Sequence, residues 1–204
     1  NLNSAADHFP AIKVAGDASG NITYYRYVNP VGTNEWDLIG SPVDGLSISS
    51  FATTNTTGTA TLATNGSQYA IGVYDNSVAS GDADEWVNYT TSTIGGAGNF
   101  DIGKGYAMAS VSGGTGLLAF TGTIPTTDQT QAIIDNSSSS GRRWSLIANP
   151  FPSFVNANDD ANGSNNFLTV NTSKLDDEYE SVYGYDADGT GFTAYGHDYN
   201  SNTA

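Results

Sequence analysis

Short runs of β-branched, aromatic and aliphatic residues, separated by polar turns, dominate the whole sequence. No stretch repeats apolar residues at the i, i+3, i+4 and i+7 spacing of an amphipathic helix for more than two turns. The separating clusters are rich in Gly, Asp, Asn and Ser, which form turns readily. This pattern predicts an all-β fold, an antiparallel β-sandwich of jelly-roll or immunoglobulin size. The predicted strands are residues 22–28, 36–39, 69–74, 86–90, 105–111, 117–123, 144–148 and 181–185.

The sequence also contains an internal duplication. Three short blocks recur in the same order at nearly constant spacing, which indicates two related β-units. In the first block, Trp and Leu alternate onto one face of a strand that a Pro then ends. The second and third blocks predict a hairpin in each unit. The paired blocks are 36–42 with 144–150, 73–75 with 184–186, and 86–89 with 192–195, at shifts of 108, 111 and 106.

The duplication predicts where the units begin and end. We expect a first unit over residues 1–124, in which 1–20 form a leading strand or loop. Residues 125–143 then form a linker or a long loop, and a second unit begins at residue 144. The first unit continues past its hairpin, whereas the second stops after its own at Ala204. We therefore expect the second unit to be incomplete and the natural chain to run on past Ala204.

Composition and charge exclude several classes of function. The chain of 204 residues has no cysteine, which excludes disulfide scaffolds, zinc–thiolate sites, iron–sulfur clusters and thiol nucleophiles. A net charge of −15 repels phosphate backbones and anionic lipid, so we expect no nucleic-acid partner. No apolar run is long enough to predict a membrane span. The first residues lack the features of a signal peptide, so we expect any export signal to have been removed.

Motifs for catalysis are also missing from the sequence. No Gly-x-Ser-x-Gly elbow and no complete phosphate-binding loop are present. The two histidines, His8 and His197, lie near opposite ends of the chain. Paired carboxylates for glycoside hydrolysis stay open, because the chain has 21 acidic residues. We expect no enzymatic activity.

Acidic and amide residues cluster in loops that could bind a hard cation. Carboxylate and amide oxygens on loops suit Ca²⁺, although a turn or a solvated loop needs the same residue types. The loop that opens at Asp186 lacks the closing Glu of a calcium loop, since position 197 is His. Both interpretations stay open. No cofactor is required, and the candidate calcium ligands are Asn158, Asp159, Asp160, Asp176, Asp177, Asp186 and Asp188.

Aromatic residues form a second candidate site. Tyr25, Tyr27, Trp86 and Tyr89 could stack against the CH faces of sugar rings, and nearby Asn and Asp oxygens could bind the hydroxyls. Successive residues of a strand face opposite sides, so we expect Tyr25 and Tyr27 on one face and Tyr24 and Arg26 on the other. By contrast, the two other tryptophans lie in repeated apolar strands and are expected in the core. They are Trp36 and Trp144.

Several of these motifs resemble those of a known group of modules. Residues 22–28 (ITYYRYV) and 36–42 (WDLIGSP) resemble the "thr-val-x-arg-tyr … trp-x-x-ile-ser-x-pro" opening of modules in large secreted Bacteroidota proteins. Three later segments are similar to the motifs that follow this opening in the same modules. They are residues 103–106 (GKGY), 120–122 (FTG) and 144–152 (WSLIANPFP). Such modules typically precede a C-terminal sorting domain of the type IX secretion system. The resemblance implies an adhesin-like protein at the cell surface or outside the cell.

Together these observations predict a non-catalytic structural or adhesive segment of a larger bacterial surface protein. Its expected partners are the rest of its own polypeptide and surface polysaccharides or neighbouring surface proteins. A carbohydrate-binding module of a secreted polysaccharide-degrading enzyme is a second interpretation. A filament subunit, whose open sheet edge accepts a strand from a neighbour, is a third. Exposure of the candidate aromatic residues would favour sugar binding, and their burial would favour the structural role.

Overall fold

The computed structural model describes residues 1–32, 36–57, 61–78, 85–136, 143–177, 180–186 and 191–195. The chain forms two compact units, Asn1–Ser153 and Phe154–Ala204. Strands in antiparallel sheets dominate, and the helices are short. The predicted all-β, sandwich-like architecture is therefore confirmed.

The first unit holds most of the regular structure. Its strands are β1 (Leu2–Asn3), β2 (Asn21–Tyr27), β3 (Asp37–Ile39), β4 (Thr64–Asn65), β5 (Gln68–Tyr74), β6 (Trp86–Thr90), β7 (Tyr106–Met108) and β8 (Leu117–Thr123). Helix α1 (Ile48–Thr56) and a 3-10 turn (Ile94–Gly96) lie between them. The second unit contains α2 (Phe167–Asn171), a 3-10 turn (Thr172–Lys174), β9 (Val182–Asp186) and β10 (Gly191–Tyr195).

The strands of the first unit form two sheets. In the smaller one, β2 lies between β1 and β8 and pairs antiparallel with β8 along its whole length, whereas β1 runs parallel to β2. The larger sheet has the order β3-β7-β5-β4, and β6 also pairs with β5. All pairings in the larger sheet are antiparallel.

A single hydrophobic core joins the inner faces of both sheets. The smaller sheet contributes Tyr24 and Phe120, and the larger one contributes Ile71 and Tyr106. Phe51 of α1 packs between the sheets, with its ring centroid 4.6 Å from that of Phe120. Because side chains alternate along a strand, the residues between these core positions point outward.

Helix α1 is an element that the sequence analysis did not predict. Its buried residues, Ile48, Phe51, Ala52 and Asn55, follow the i, i+3, i+4, i+7 spacing over two turns. The last of them is polar, so the apolar pattern ends early. Ser47 caps the helix by accepting a hydrogen bond from the backbone N–H of Ser50.

The buried amide of Asn55 connects α1 to the free edge of β8. Its Nδ2 donates to the carbonyls of Phe51 at 2.9 Å and Ala119 at 3.1 Å. Its Oδ1 accepts from the N–H of Ala119 at 2.7 Å. Further along the same edge, Asp44 pairs with Thr123 through two backbone hydrogen bonds. The outer edge of β8 is thus partly covered within the unit, which removes a site where another strand could add.

Residues 144–148, predicted as a strand that opens the second unit, instead pack into the first. A single bridge joins Ile147 to Lys104. Leu146 and Ala148 lie where Gly105 and Gly40 have no side chain, so they approach the backbone of the larger sheet closely. The compact units consequently divide after Ser153, whereas the duplication predicted boundaries at residues 124 and 144.

Both predicted hairpins form. In the first unit, β5 and β6 pair with Tyr74 opposite Trp86. In the second unit, β9 and β10 pair with Tyr185 opposite Phe192. These two pairs are equivalent under the sequence duplication, so the hairpins share one register.

A glycine of β8 tests how tightly the sandwich is closed. A Cβ at Gly122 would overlap the carbonyl oxygen of Asp44, whose backbone is held by its pairing with Thr123. We expect Gly122→Ala to lower the free energy of unfolding in urea by about 2 kcal/mol. Gly96→Ala is the control, because no described heavy atom lies within 4 Å of its Cβ position. Equal losses in both variants would contradict this packing.

Alkaline pH tests the burial of Tyr106, which is 1% exposed. Burial raises the pKa of Tyr106 to about 12, although its hydroxyl accepts a hydrogen bond from the N–H of Asp101. Unfolded tyrosine ionises near pH 10.0, so between pH 10 and about 12 only the unfolded state loses this proton. Tyr106 therefore stabilises the fold fully below pH 10, and up to about 2.5 kcal/mol is lost as the pH rises towards 12.

Urea unfolding at pH 8, 10 and 11.5 measures this effect. We expect Tyr106→Phe to be less stable than the parent at pH 8, because it lacks the hydrogen bond with Asp101. Its stability should fall less steeply above pH 10. Parallel pH profiles for the two proteins would show that Tyr106 ionises normally in the folded state.

Candidate functional site

Tyr25 and Tyr27 lie on the outer face of the smaller sheet, and both are half-buried. The ring of Tyr27 rests over Gly116, whose Cβ position is 2.6 Å from its Cε2 atom. On the same face, the hydroxyls of Thr23 and Thr121 form a hydrogen bond of 2.9 Å across the strand pair. The residues of this face are uncharged, and several of them carry hydroxyl groups.

Tyr24 and Arg26 face the other way, as the alternation predicts. Tyr24 is buried in the core, and its hydroxyl donates to the carbonyl of Pro10 at 2.9 Å. The guanidinium of Arg26 lies 3.7 Å from the centre of the Phe9 ring. The N-terminal segment therefore covers this side of β2.

Trp86 and Tyr89 belong to β6 of the larger sheet and face opposite sides of it. Tyr89 packs against the core, and burial raises the pKa of its hydroxyl. Trp86 points outward and is 39% exposed. Since Tyr25 and Tyr27 lie on the outer face of the other sheet, the four predicted sugar-binding residues do not form one platform.

The two tryptophans expected in the core differ from each other. Trp36 is partly buried and packs against the core. Trp144 is 49% exposed, so the prediction of core packing is wrong for this residue. The reason is that its segment does not form an inner strand, and the carbonyl of Trp144 instead accepts a hydrogen bond from Asn76 Nδ2 at 3.1 Å.

Tyr74 joins Trp86 in an aromatic pair that the sequence analysis missed. Their ring centroids lie 5.2 Å apart, and the ring planes are tilted by 58°. The indole of Trp86 lies above Gly72, whose Cβ position is 3.6 Å from Trp86 Cε3 and 2.9 Å from Asn88 Oδ1. Tyr74, Gly72, Trp86 and Asn88 therefore share the outer face of one hairpin.

The backbone next to this ring pair is held by side-chain hydrogen bonds. The carboxylate of Asp75 accepts from the N–H and hydroxyl of Ser77 at 2.9 and 2.6 Å. Both hydrogen bonds lower the pKa of Asp75, and the one from the Ser77 hydroxyl has the larger effect. Asn76 donates to the carbonyl of Ile134 at 2.6 Å and accepts from Asn136 at 2.6 Å. Rings, an amide and a carboxylate on a fixed backbone suit a polar ligand with an apolar face.

Asp159, one of the predicted calcium ligands, forms hydrogen bonds with the residue that caps α2 and with Thr169. Asp159 Oδ1 accepts from Asn166 Nδ2 at 2.8 Å and from the hydroxyl of Thr169 at 3.1 Å. Asn166 Oδ1 accepts from the N–H of Thr169, which caps α2. The carbonyl of the buried Asn158 accepts from the N–H groups of Ala161 and Asn162. These oxygens already have donors within the loop.

The other candidate ligands are not brought to this loop as a cluster. Asp160, Asp176 and Asp177 are exposed. Within the described part of the chain, no group of three or more His, Asp or Glu side chains is placed to hold a metal ion. Asp188 and the side chain of Asp186 lie outside the described residues. Calcium binding thus stays a prediction.

The chain was compared with protein-family models, curated proteins and solved structures. No protein-family model, curated protein or solved structure matches it. Among the residues that the structure describes, no helix has the length and apolar character needed to cross a membrane.

Removal of the Asn166 side chain tests whether its hydrogen bonds stabilise α2 and the second unit. We expect Asn166→Ala to speed amide hydrogen exchange across α2 and to lower the stability of the second unit by about 1 kcal/mol. The variant removes the cap on Thr169 and the donors to Asp159 and Asn162. Asn165→Ala changes an exposed neighbour and serves as the control. Equal exchange rates in the two variants would show that the cap is unimportant.

Proposed function

We propose that the chain is a non-catalytic structural or adhesive module of a larger extracellular bacterial protein. The observation that carries the proposal is the duplicated hairpin. Hairpins β5–β6 and β9–β10 belong to different compact units, yet they pair in equivalent registers. A repeated β-unit suits a protein that holds a binding surface away from the cell, and sandwich domains recur in many cell-surface proteins.

The agreement of register supports the duplication independently of the sequence blocks. The blocks alone match Tyr74 with Tyr185 and Trp86 with Phe192. Pairing of strands is a separate property, because a slip of one residue would exchange the two faces of the hairpin. In both units, residues at equivalent positions of the duplication lie opposite each other, so the units repeat a common hairpin.

The outer surfaces of the first unit support an adhesive role. The smaller sheet presents uncharged hydroxyl and aromatic side chains, among them Thr23, Tyr25 and Thr121. The larger sheet presents the Tyr74–Trp86 pair. With 21 acidic and 6 basic residues, the chain repels polyanions and stays dispersed in solution. Neutral partners are therefore favoured over nucleic acids and anionic lipids.

The resemblance of residues 20–195 to modules of large secreted Bacteroidota proteins supports an extracellular location. Our proposal includes export through the type IX secretion system, by a sorting domain elsewhere in the same polypeptide. It also includes the rest of that polypeptide as the main partner of the chain.

Antibodies against the chain test this proposal in the source organism. We expect them to label intact, unpermeabilised cells or the culture medium, and we expect protease added to intact cells to remove the surface label. A periplasmic protein of the same cells is the control for permeability. Label that appears only after permeabilisation would contradict the extracellular location, and hydrolysis of a polysaccharide by the purified chain would contradict a non-catalytic role.

A further inference from the structure

The indole of Trp86 packs over Gly72 on one side and is partly exposed to solvent. It lies over Gly72, where a side chain would otherwise separate it from the strand, and 39% of the residue stays exposed. Aromatic side chains bury large apolar areas, so a tryptophan left open on an outer sheet face is an unused contact surface. The support beneath the ring holds it ready for a ligand above.

Tyr74 adds a second aromatic ring beside the indole of Trp86. Tyr74 lies directly opposite Trp86 on the neighbouring strand, with the ring centroids 5.2 Å apart and the planes tilted by 58°. One ring can therefore stack against the face of a flat apolar group while the other contacts its edge. A pyranose ring has such a face, made of its axial C–H groups.

A polar side chain lies beside Trp86 on the same face of the hairpin. Asn88 lies two residues beyond Trp86 on the same face, and its amide supplies both a donor and an acceptor. Sugar hydroxyls both donate and accept hydrogen bonds, so the amide of Asn88 suits them. A purely apolar partner would leave the donor and the acceptor of that amide unpaired.

Charge narrows the class of ligand further. The chain carries −15, and the Asn88 amide beside the rings is neutral. Sulfated and uronic-acid polysaccharides would be repelled, whereas a neutral sugar meets no such cost.

We propose that Tyr74, Trp86 and Asn88 form a binding subsite for a neutral pyranose of a polysaccharide. The inference rests on the proposed adhesive function and names the ligand class for it. Trp86 stacks on the C–H face of the sugar, Tyr74 contacts its edge, and Asn88 binds its hydroxyls.

Retardation of the full chain in native gels that contain one soluble polysaccharide tests the subsite. The neutral probes are hydroxyethylcellulose, xyloglucan, glucomannan, galactomannan and mixed-linkage β-glucan, with alginate and heparin as anionic controls. We expect retardation by at least one neutral polysaccharide and by neither anionic one.

Matched variants assign the binding to particular residues. We expect Trp86→Ala to weaken retardation about tenfold and Trp86→Phe to restore part of it, because the smaller ring still stacks. Asn88→Ala should weaken it severalfold. Phe154→Ala removes a 78% exposed aromatic ring in the other unit and should leave retardation unchanged. Urea unfolding of each variant shows whether it is folded.

Three results would overturn the inference. The first is the absence of retardation by every neutral polysaccharide, and the second is retardation that folded Trp86→Ala and Asn88→Ala retain in full. The third is a dimer in sedimentation velocity that Trp86→Ala dissociates, which would assign the rings to a second copy. Each of these leaves the surface labelling of the cells unaffected, so a failure here is distinct from a failure of the proposed function.

Discussion

One cluster of aromatic rings, packed between the two sheets, determines the rest of the first unit. Phe51 of α1 contacts Phe100 and Phe120, and Phe100 contacts Tyr106, with centroids 4.6 to 5.2 Å apart. Burial of each ring stabilises the fold by about 2–3 kcal/mol, and sheets of so few strands are not stable without a packed face. Because strand residues alternate, fixing these rings inside also fixes which residues point outward. The exposure of Trp86 is a consequence of where the core lies.

The strands and hairpins followed from the sequence because they depend on local signals. Alternating apolar residues, turn clusters and the repeated blocks predicted β2, β5, β6 and β8 to within about a residue. Helix α1 was missed because its buried face ends in Asn55, whose burial depends on the backbone of β8, far away in the sequence. Trp144 was misplaced for a similar reason. Its segment repeats an apolar strand, but Gly40 and Gly105, next to the ends of β3 and β7, leave room for Ala148 and Leu146, so the segment packs there instead of forming a strand.

The candidate sites show the same limit. The sequence identified Trp86, but its partner Tyr74 becomes visible only when the register of β5 and β6 is known. The predicted calcium ligands illustrate a different ambiguity. Helix caps and calcium loops use the same residue types, and Asp159 and Asn166 form hydrogen bonds at the start of α2. Composition does not contain this hydrogen-bond geometry, so the sequence alone could not predict the cap, and calcium binding stays a prediction.

In the proposed surface module, a buried aromatic core fixes an exposed ring pair that we expect to bind neutral sugars. The chain has 3 tryptophans, Trp36, Trp86 and Trp144, so its indole N–H resonances give three separate probes in one ¹⁵N-labelled sample. The most direct test is a titration with an oligosaccharide fragment of the polysaccharide that retards the chain in native gels. The account predicts that the Trp86 resonance shifts progressively while that of Trp36, packed against the core, stays fixed. A titration that leaves Trp86 unchanged, or that shifts Trp144 alone, would contradict it.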